Sequence, residues 1–305
     1  MNRLFFSEQS AKPLCLFRAV WGLFLIYYYL SSYWLFSFYF GEGGFFYEEG
    51  LNVYYEATQW TVFGWVKNGA GLFPIVYGLA LAASVGLMIG KWTRVCAVIS
   101  WFCTCSLTNS LSYGLNGGDT LIRNITFLVL ICALAGFLAG HYSLDSRSRD
   151  AEKPAEPIPV WAYRLFQVQL VMIYFFTGLA KVGYAEWQNG TAIGLWTQHA
   201  GSWFVYDFTF LIEYPALGAA ITLLVWIWEL IFFPVGIWLV STRRWAMLSG
   251  LLLHLGIIIT MRVHPFGETT LMLYLLFLTA DEVEALEKRI RSDFASISDR
   301  FLAQK

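Results

Sequence analysis

Apolar residues run along the chain in blocks rather than in alternation. Blocks at about 14–38, 72–90, 94–114, 119–139, 159–183, 216–240, 245–261 and 266–280 hold few charges. Crossing about 30 Å of hydrocarbon takes about 20 helical residues at 1.5 Å each. The last two blocks are shorter and could be tilted or partly re-entrant, so about seven to nine spans fit, with eight preferred. The pattern predicts an all-α integral membrane protein, a bundle of about eight transmembrane helices with interfacial extracytoplasmic segments.

Composition leads to the same solvent. Apolar residues make up 58%, aromatics 19% and charged residues only 13%, with a mean hydropathy of +0.56, far from the soluble average. The first apolar run follows Arg3 and Lys12 but is too long for a signal peptide and lacks an A-x-A-like end, so it reads as a retained span. Lys and Arg fall in alternate loops: before the first span, at Lys91 and Arg94, at Arg147, Arg149 and Lys153, at Arg243 and Arg244, and in the tail. The other loops carry Glu42, Glu48, Glu49, Glu186, Asp207 and Glu213. By the positive-inside rule both termini are cytoplasmic, in agreement with an even number of spans. A net charge of −1 gives no general attraction to nucleic acid. The five cysteines all lie within apolar runs and read as small buried hydrophobes.

Residues 1–283 form the predicted membrane domain, in which a polar linker at 140–158 divides two four-helix halves; 284–305 reads as a cytoplasmic amphipathic tail. Segments 40–71 and 184–215 are dense in Trp, Tyr and Phe, rings that favour the headgroup layer, and are expected to cap the bundle.

Ionisable groups inside spans are costly and usually face the bundle interior. Arg18 and Arg164 lie near cytoplasmic ends and are expected to snorkel. In "LNGGDTLIRN", Asp119 and Arg123 stand at i, i+4, close to Asn116. The helix start could dock an anionic or carbonyl ligand, or Asp119 could simply cap it. Glu229 and His254 sit near mid-span and must find partners; hydrogen-bonding each other would satisfy both. Arg262 and His264 read as solvated, and His199 lies in the aromatic cap. Lys181 falls about one turn before the extracytoplasmic end of the fifth block, on a segment that also carries Tyr174 and Thr177. Desolvation disfavours an ammonium there and favours a neutral amine able to act as a base; the alternative is a snorkelling anchor.

The series "LCLFRAVWGL", "NGGDTLIRN", "HYSLD", "RLFQVQLVMIYFFTGLAKVGYAEWQNGTA" and "LLLHLGIIITM" resembles the HTTM family, the membrane domain shared by vitamin K-dependent γ-carboxylases and many bacterial proteins, over roughly residues 10–280. The Q-x-x-x-x-Y-F-x-x-G-x-x-K run with its following W-x-x-G is the specific part. The resemblance implies a bacterial cytoplasmic (inner) membrane enzyme in which a lysine, here Lys181, deprotonates reduced vitamin K, a menaquinol-like lipid. With O₂ this yields a base strong enough to deprotonate a peptide glutamate, to which CO₂ adds. Asn109, Asn116, Asp119, Arg123, Tyr174, Trp187, Glu229 and His254 are the expected quinol- or substrate-binding residues, with no metal. Where the carboxylases have a histidine in N-H-S-Y-L-Y-G-L, "TNSLSYGL" has Asn109. The large extramembrane portion of the carboxylases is matched here only by residues 281–305. Besides the bilayer, the expected partner is a peptide substrate. The alternative is a non-catalytic accessory factor for maturation or export of a peptide or partner protein.

Overall fold

A computed structural model describes residues 5–44, 60–66, 69–111, 115–147, 157–198 and 204–303. Much of the aromatic segment expected at 40–71, the middle of the linker and His199 lie outside these residues.

The apolar blocks are helical. They form α1 (Lys12–Ser31), α2 (Tyr33–Phe40), α3 (Phe73–Ile89), α4 (Thr93–Asn109), α5 (Gly117–Leu134) and α6 (Trp161–Lys181). After a short α7 (Ala192–Gln198) come α8 (Pro215–Ile227), α9 (Arg243–Thr260), α10 (Phe266–Leu273) and the tail helix α11 (Ala280–Ala303). Among the described residues, 4 helical stretches are long and apolar enough to cross a membrane: Lys12–Ser31, Gly69–Ile89, Gly117–Leu134 and Pro215–Gly236. The remaining blocks are shorter or carry more polar groups: α4 has 17 residues, and α6 carries Arg164, Gln167, Gln169 and Lys181.

By their contacts the residues form two compact units, one of 1–107, 126–164 and 275–305, the other of 108–125 and 165–274. In the first, α1 packs on α3 at Gly22, where an added Cβ would lie 2.4 Å from Met88 N and 2.7 Å from Ser84 O; only glycine permits that approach. Tyr29 Oη lies 2.7 Å from Thr104 Oγ1, and Tyr77 donates to the Tyr29 carbonyl at 2.8 Å. Strand β1 (Glu8–Gln9) pairs antiparallel with β2 (Ile158–Pro159), and Lys12 holds the tail helix through Glu284 and Glu287 at 3.2 and 3.3 Å.

Arg18 corrects an expectation. It does not snorkel but is fully buried, and its guanidinium donates to the carbonyls of Leu87, Met88, His141 and Tyr142. The first two belong to the last turn of α3, whose final carbonyls have no partner within the helix. A five-donor fork with no acceptor suits that task.

The same joint explains "HYSLD". Ser143 Oγ and the Asp145 N–H both donate to the Gly90 carbonyl, at 2.7 and 3.0 Å. Gly90 ends α3 in the left-handed conformation, at φ 66°, which glycine adopts without strain. Asp145 in turn accepts from the N–H groups of Trp92 and Thr93, both at 3.0 Å, and so caps α4. Burial alone would raise the Asp145 carboxyl, but the Thr93 and Trp92 donors, with Lys91 nearby, outweigh it and hold the group below its ordinary value of 3.8. A lowered folded value means that the unfolded chain binds the proton more tightly. The stability this carboxylate contributes is therefore complete above its unfolded value and is lost as pH falls through the folded one. Asp145→Asn is expected to cost roughly 1 kcal/mol at neutral pH, and to flatten the acid limb of stability measured by thermal unfolding between pH 2 and 6.

The second unit contains a break in regularity. Helix α8 runs into a π-turn over Trp228–Phe232, closed by the Phe233 N–H on the carbonyl of Trp228, and continues as Phe233–Gly236. Pro234 has no N–H to continue the usual ladder, and π-turns of this kind recur at functional sites.

Candidate functional site

Gly178 lies one turn before Lys181. A Cβ there would fall 2.9 Å from both the N and the Cα of Leu230, so α6 meets the π-turn backbone to backbone. Trp226 Nε1 donates to the Gly178 carbonyl at 2.9 Å across the same contact. Glu229, the neighbour of Leu230, thereby comes beside Lys181, and the two form an ion pair with side chains 14% and 13% exposed. The Trp187 ring lies 4.6 Å from Lys181 Nζ, a cation–π distance. Gly178→Val is expected to force α6 off the π-turn and part Lys181 from Glu229. The check is a double-mutant cycle: the coupling between the two charges, read as unfolding free energy, should shrink to within about 0.5 kcal/mol of zero in the Gly178→Val background.

A second polar group lies on the same face of α6. Tyr174, Thr177 and Lys181 follow at i, i+3 and i+7, the spacing of one helical stripe. Tyr174 Oη lies 2.6 Å from His254 Nε2 and 2.8 Å from Tyr274 Oη. The expected Glu229–His254 bond is thus replaced by two separate pairings, because α6 lies against both residues and supplies a partner for each. Tyr274 was not among the expected site residues; its signal is a lone hydroxyl in the apolar run "LMLYLLF".

Both polar groups open on one cavity of about 920 Å³ whose walls are mostly apolar. Its lining includes Lys181, Glu229, Tyr174, His254, Trp187 and Asn116. Ile193, Trp196, Phe204, Phe208 and Leu211 come from the aromatic segment after α6, so that segment contributes part of the wall. The volume falls within the usual range for a small-molecule site.

The other expected residues find partners around the start of α5. Asp119 Oδ2 accepts the Asn116 N–H at 2.8 Å, and Asn116 Oδ1 accepts that of Gly118 at 2.7 Å, so this stretch caps α5 with its own side chains. Asn116 Nδ2 also donates to the His264 carbonyl at 2.6 Å. Arg123 donates to Asn109 Oδ1 and, at 3.4 Å, to Thr120 Oγ1. Asp119, Arg123 and Asn109 are not among the cavity's lining residues. His264, expected in solvent, is only partly exposed and pairs with Glu268 at 2.9 Å.

Apolar helices around a mostly apolar cavity that holds a partly buried Lys–Glu pair fit a helical membrane protein. The HTTM domain matches residues 6–281, and the chain belongs to that family. It is similar to two curated proteins of Bacillus subtilis (strain 168). One is "Uncharacterized protein YitO", 26% identical over 43% of this chain and 42% of that protein. The other is "Sporulation-delaying protein SdpB", 24% identical over 64% of this chain and 61% of that protein. The chain thus spans less than two thirds of the length of these relatives. No solved structure matches it.

Proposed function

We propose that the protein is an eight-span, multi-pass protein of the bacterial cytoplasmic membrane with both termini inside. It binds a quinol-like lipid in the cavity of its second unit and uses Lys181 as the base in modifying a peptide or small substrate at the extracytoplasmic face. The observation that carries this reading is the Lys181–Glu229 pair in the wall of a largely apolar cavity. Such walls suit an aromatic, lipid-tailed ring, and the buried polar atoms of Tyr174, His254 and Lys181 suit its oxygens. Within the carboxylase-like family, reduced vitamin K supplies, with O₂, the strong base for removing a carbon-bound proton, and CO₂ is the group added.

The chain's own residues hold and move protons. In the paired state Lys181 is the ammonium and Glu229 the carboxylate. Passing one proton from Nζ to the Glu229 oxygen gives a neutral amine and a neutral acid. In a site of low dielectric this arrangement competes with the ion pair, because both charges are removed together. The amine can then take a proton from an acidic hydroxyl in the cavity, with Glu229 holding the proton it received. The Trp187 ring, 4.6 Å from Nζ, covers one side of the lysine head. Extracting protein purified in mild detergent and identifying its lipids by mass spectrometry tests the reading. A quinone near one per chain is expected, and should be lost when Trp187 and Trp196 are both replaced by alanine. Absence of any quinone from protein made in quinone-containing cells would count against it.

The aromatic part of the cavity wall, Trp187 and Trp196 among it, favours a second reading, a non-catalytic accessory factor that grips a peptide or partner protein for maturation or export. In that case Lys181 variants keep function, while Trp187 or Trp196 variants release a bound partner in a pull-down.

A further inference from the structure

We infer that His254 Nδ1 is the second polar contact of the cavity, binding a ligand oxygen as acceptor from a hydroxyl or as donor to a carbonyl, so that one site holds both the reduced and the oxidised form of its ligand. This rests on the quinol reading above and assigns it one atom of His254 with two hydrogen-bonding roles.

The argument begins with an unpaired atom. His254 is 1% exposed, and its Nδ1 has no hydrogen-bond partner among the described residues. A buried imidazole nitrogen without a partner loses its hydration with nothing in exchange, and this residue lines the cavity. The nearest titratable carboxylate in the neighbouring helix, Glu268, is engaged by His264 at 2.9 Å. A ligand oxygen would supply the missing partner.

The other ring nitrogen decides what kind of partner Nδ1 can be. Tyr174 has one hydroxyl proton and two neighbours, His254 Nε2 at 2.6 Å and Tyr274 Oη at 2.8 Å. If Tyr174 donates to Nε2, it accepts from Tyr274, the ring proton is on Nδ1, and Nδ1 donates. If Tyr174 donates to Tyr274, it accepts from Nε2–H, and Nδ1 presents its lone pair. Both arrangements hold the same number of protons on the neutral ring and the two phenols, so no charge is buried in passing between them. A carbonyl selects the first and a hydroxyl the second. Tyr174 and Lys181 are separated by two turns on one face of α6, about 10 Å along the axis. The Lys181–Glu229 pair and the His254 chain can therefore address opposite ends of one ring, the arrangement a para-quinol requires.

The test uses menaquinone-4, carrying ¹³C in one or the other ring carbonyl, and its quinol, with the purified full-length protein in nanodiscs. In wild type one carbonyl stretch should be lowered by the Nδ1 hydrogen bond. His254→Gln keeps an amide near Nε2 to satisfy Tyr174 but leaves nothing at Nδ1. That band should return to its free position, and both quinone and quinol should bind about tenfold more weakly by tryptophan quenching, equivalent to about 1.4 kcal/mol. His254→Asn, with its amide near the Nδ1 position, should bind within about threefold of wild type. A measurement without any variant guards against misfolding: ¹⁵N-histidine spectra of wild type should show one imidazole exchanging its protonated nitrogen between the quinone-bound and quinol-bound forms. An unchanged carbonyl band in His254→Gln, or unchanged imidazole spectra, with quinone still bound would overturn the assignment and leave the quinol reading standing. If wild type binds neither form, both fall together.

Discussion

Replacing Lys181 with alanine is expected to lower quinol-driven product formation at least about 10²-fold, the usual contribution of a positioned acid or base. Truncation also leaves Glu229 buried without its partner. Removing one member of a buried pair costs about 3–5 kcal/mol, so loss of activity in Lys181→Ala alone would confuse lost chemistry with lost folding. The double variant Lys181→Met with Glu229→Leu separates them, because it removes both charges and keeps apolar volume. Its thermal stability should equal or exceed that of wild type, as replacing a buried ion pair by apolar residues often does, while its activity stays lost. The readout is mass spectrometry of a co-expressed peptide with reduced quinone supplied, beside thermal unfolding of the same preparations. Wild-type turnover in the double variant would show that the lysine is only an anchor. Glu229→Gln fits between these: it keeps a hydrogen-bond acceptor for Nζ but removes the counter-charge and cannot take its proton, so the rate should fall with a loss of stability smaller than that of Lys181→Ala.

The helices were legible because apolar blocks of spanning length leave few alternatives. Lys181, Glu229 and His254 were legible as candidates for the same reason, since charge within hydrocarbon needs a partner. Their partners were not. The pairing of Lys181 with Glu229 rather than Glu229 with His254 depends on Gly178 closing α6 onto Leu230 and on a π-turn at Trp228–Phe232, a contact between residues about 50 apart that no local periodicity encodes. Tyr274 was invisible for a related reason: a tyrosine in an aromatic-rich apolar run does not reveal whether its hydroxyl is wet or bonded. In "NGGDTLIRN" the cap and the ligand-docking reading had equal support from spacing, and the observed bonds of Asn116 and Asp119 to backbone N–H groups are those of the cap. The motifs around Arg18 and "HYSLD" carried the family resemblance beside that of Lys181, yet their side chains serve backbone groups at one joint. A family pattern records structural and chemical residues alike, and only the partners distinguish them.

Arg18→Met is expected to produce a loss of stability as large as any single substitution in the molecule. Methionine fills much of the same space, so packing is not the principal loss. The guanidinium serves the carbonyls of Leu87, Met88, His141 and Tyr142 from a position with no exposure, where water cannot take its place. Hydrogen bonds from a charged donor contribute about 1.5–3 kcal/mol each. Since they are not additive within one network, a loss of about 3–5 kcal/mol is the reasonable expectation, a large part of a typical stability of about 5–15 kcal/mol. Arg18→Lys keeps the charge but replaces a planar fork by three donors around one atom, which cannot reach two pairs of carbonyls on separate segments; it should recover less than half of the loss. Denaturant unfolding in mixed micelles gives both values, and proteolysis at the 136–147 joint should rise in the same order, wild type below Arg18→Lys below Arg18→Met. Equal stability of Arg18→Met and wild type would mean that these carbonyls are satisfied without the guanidinium, and that the cost of burying its charge had cancelled what its hydrogen bonds contribute.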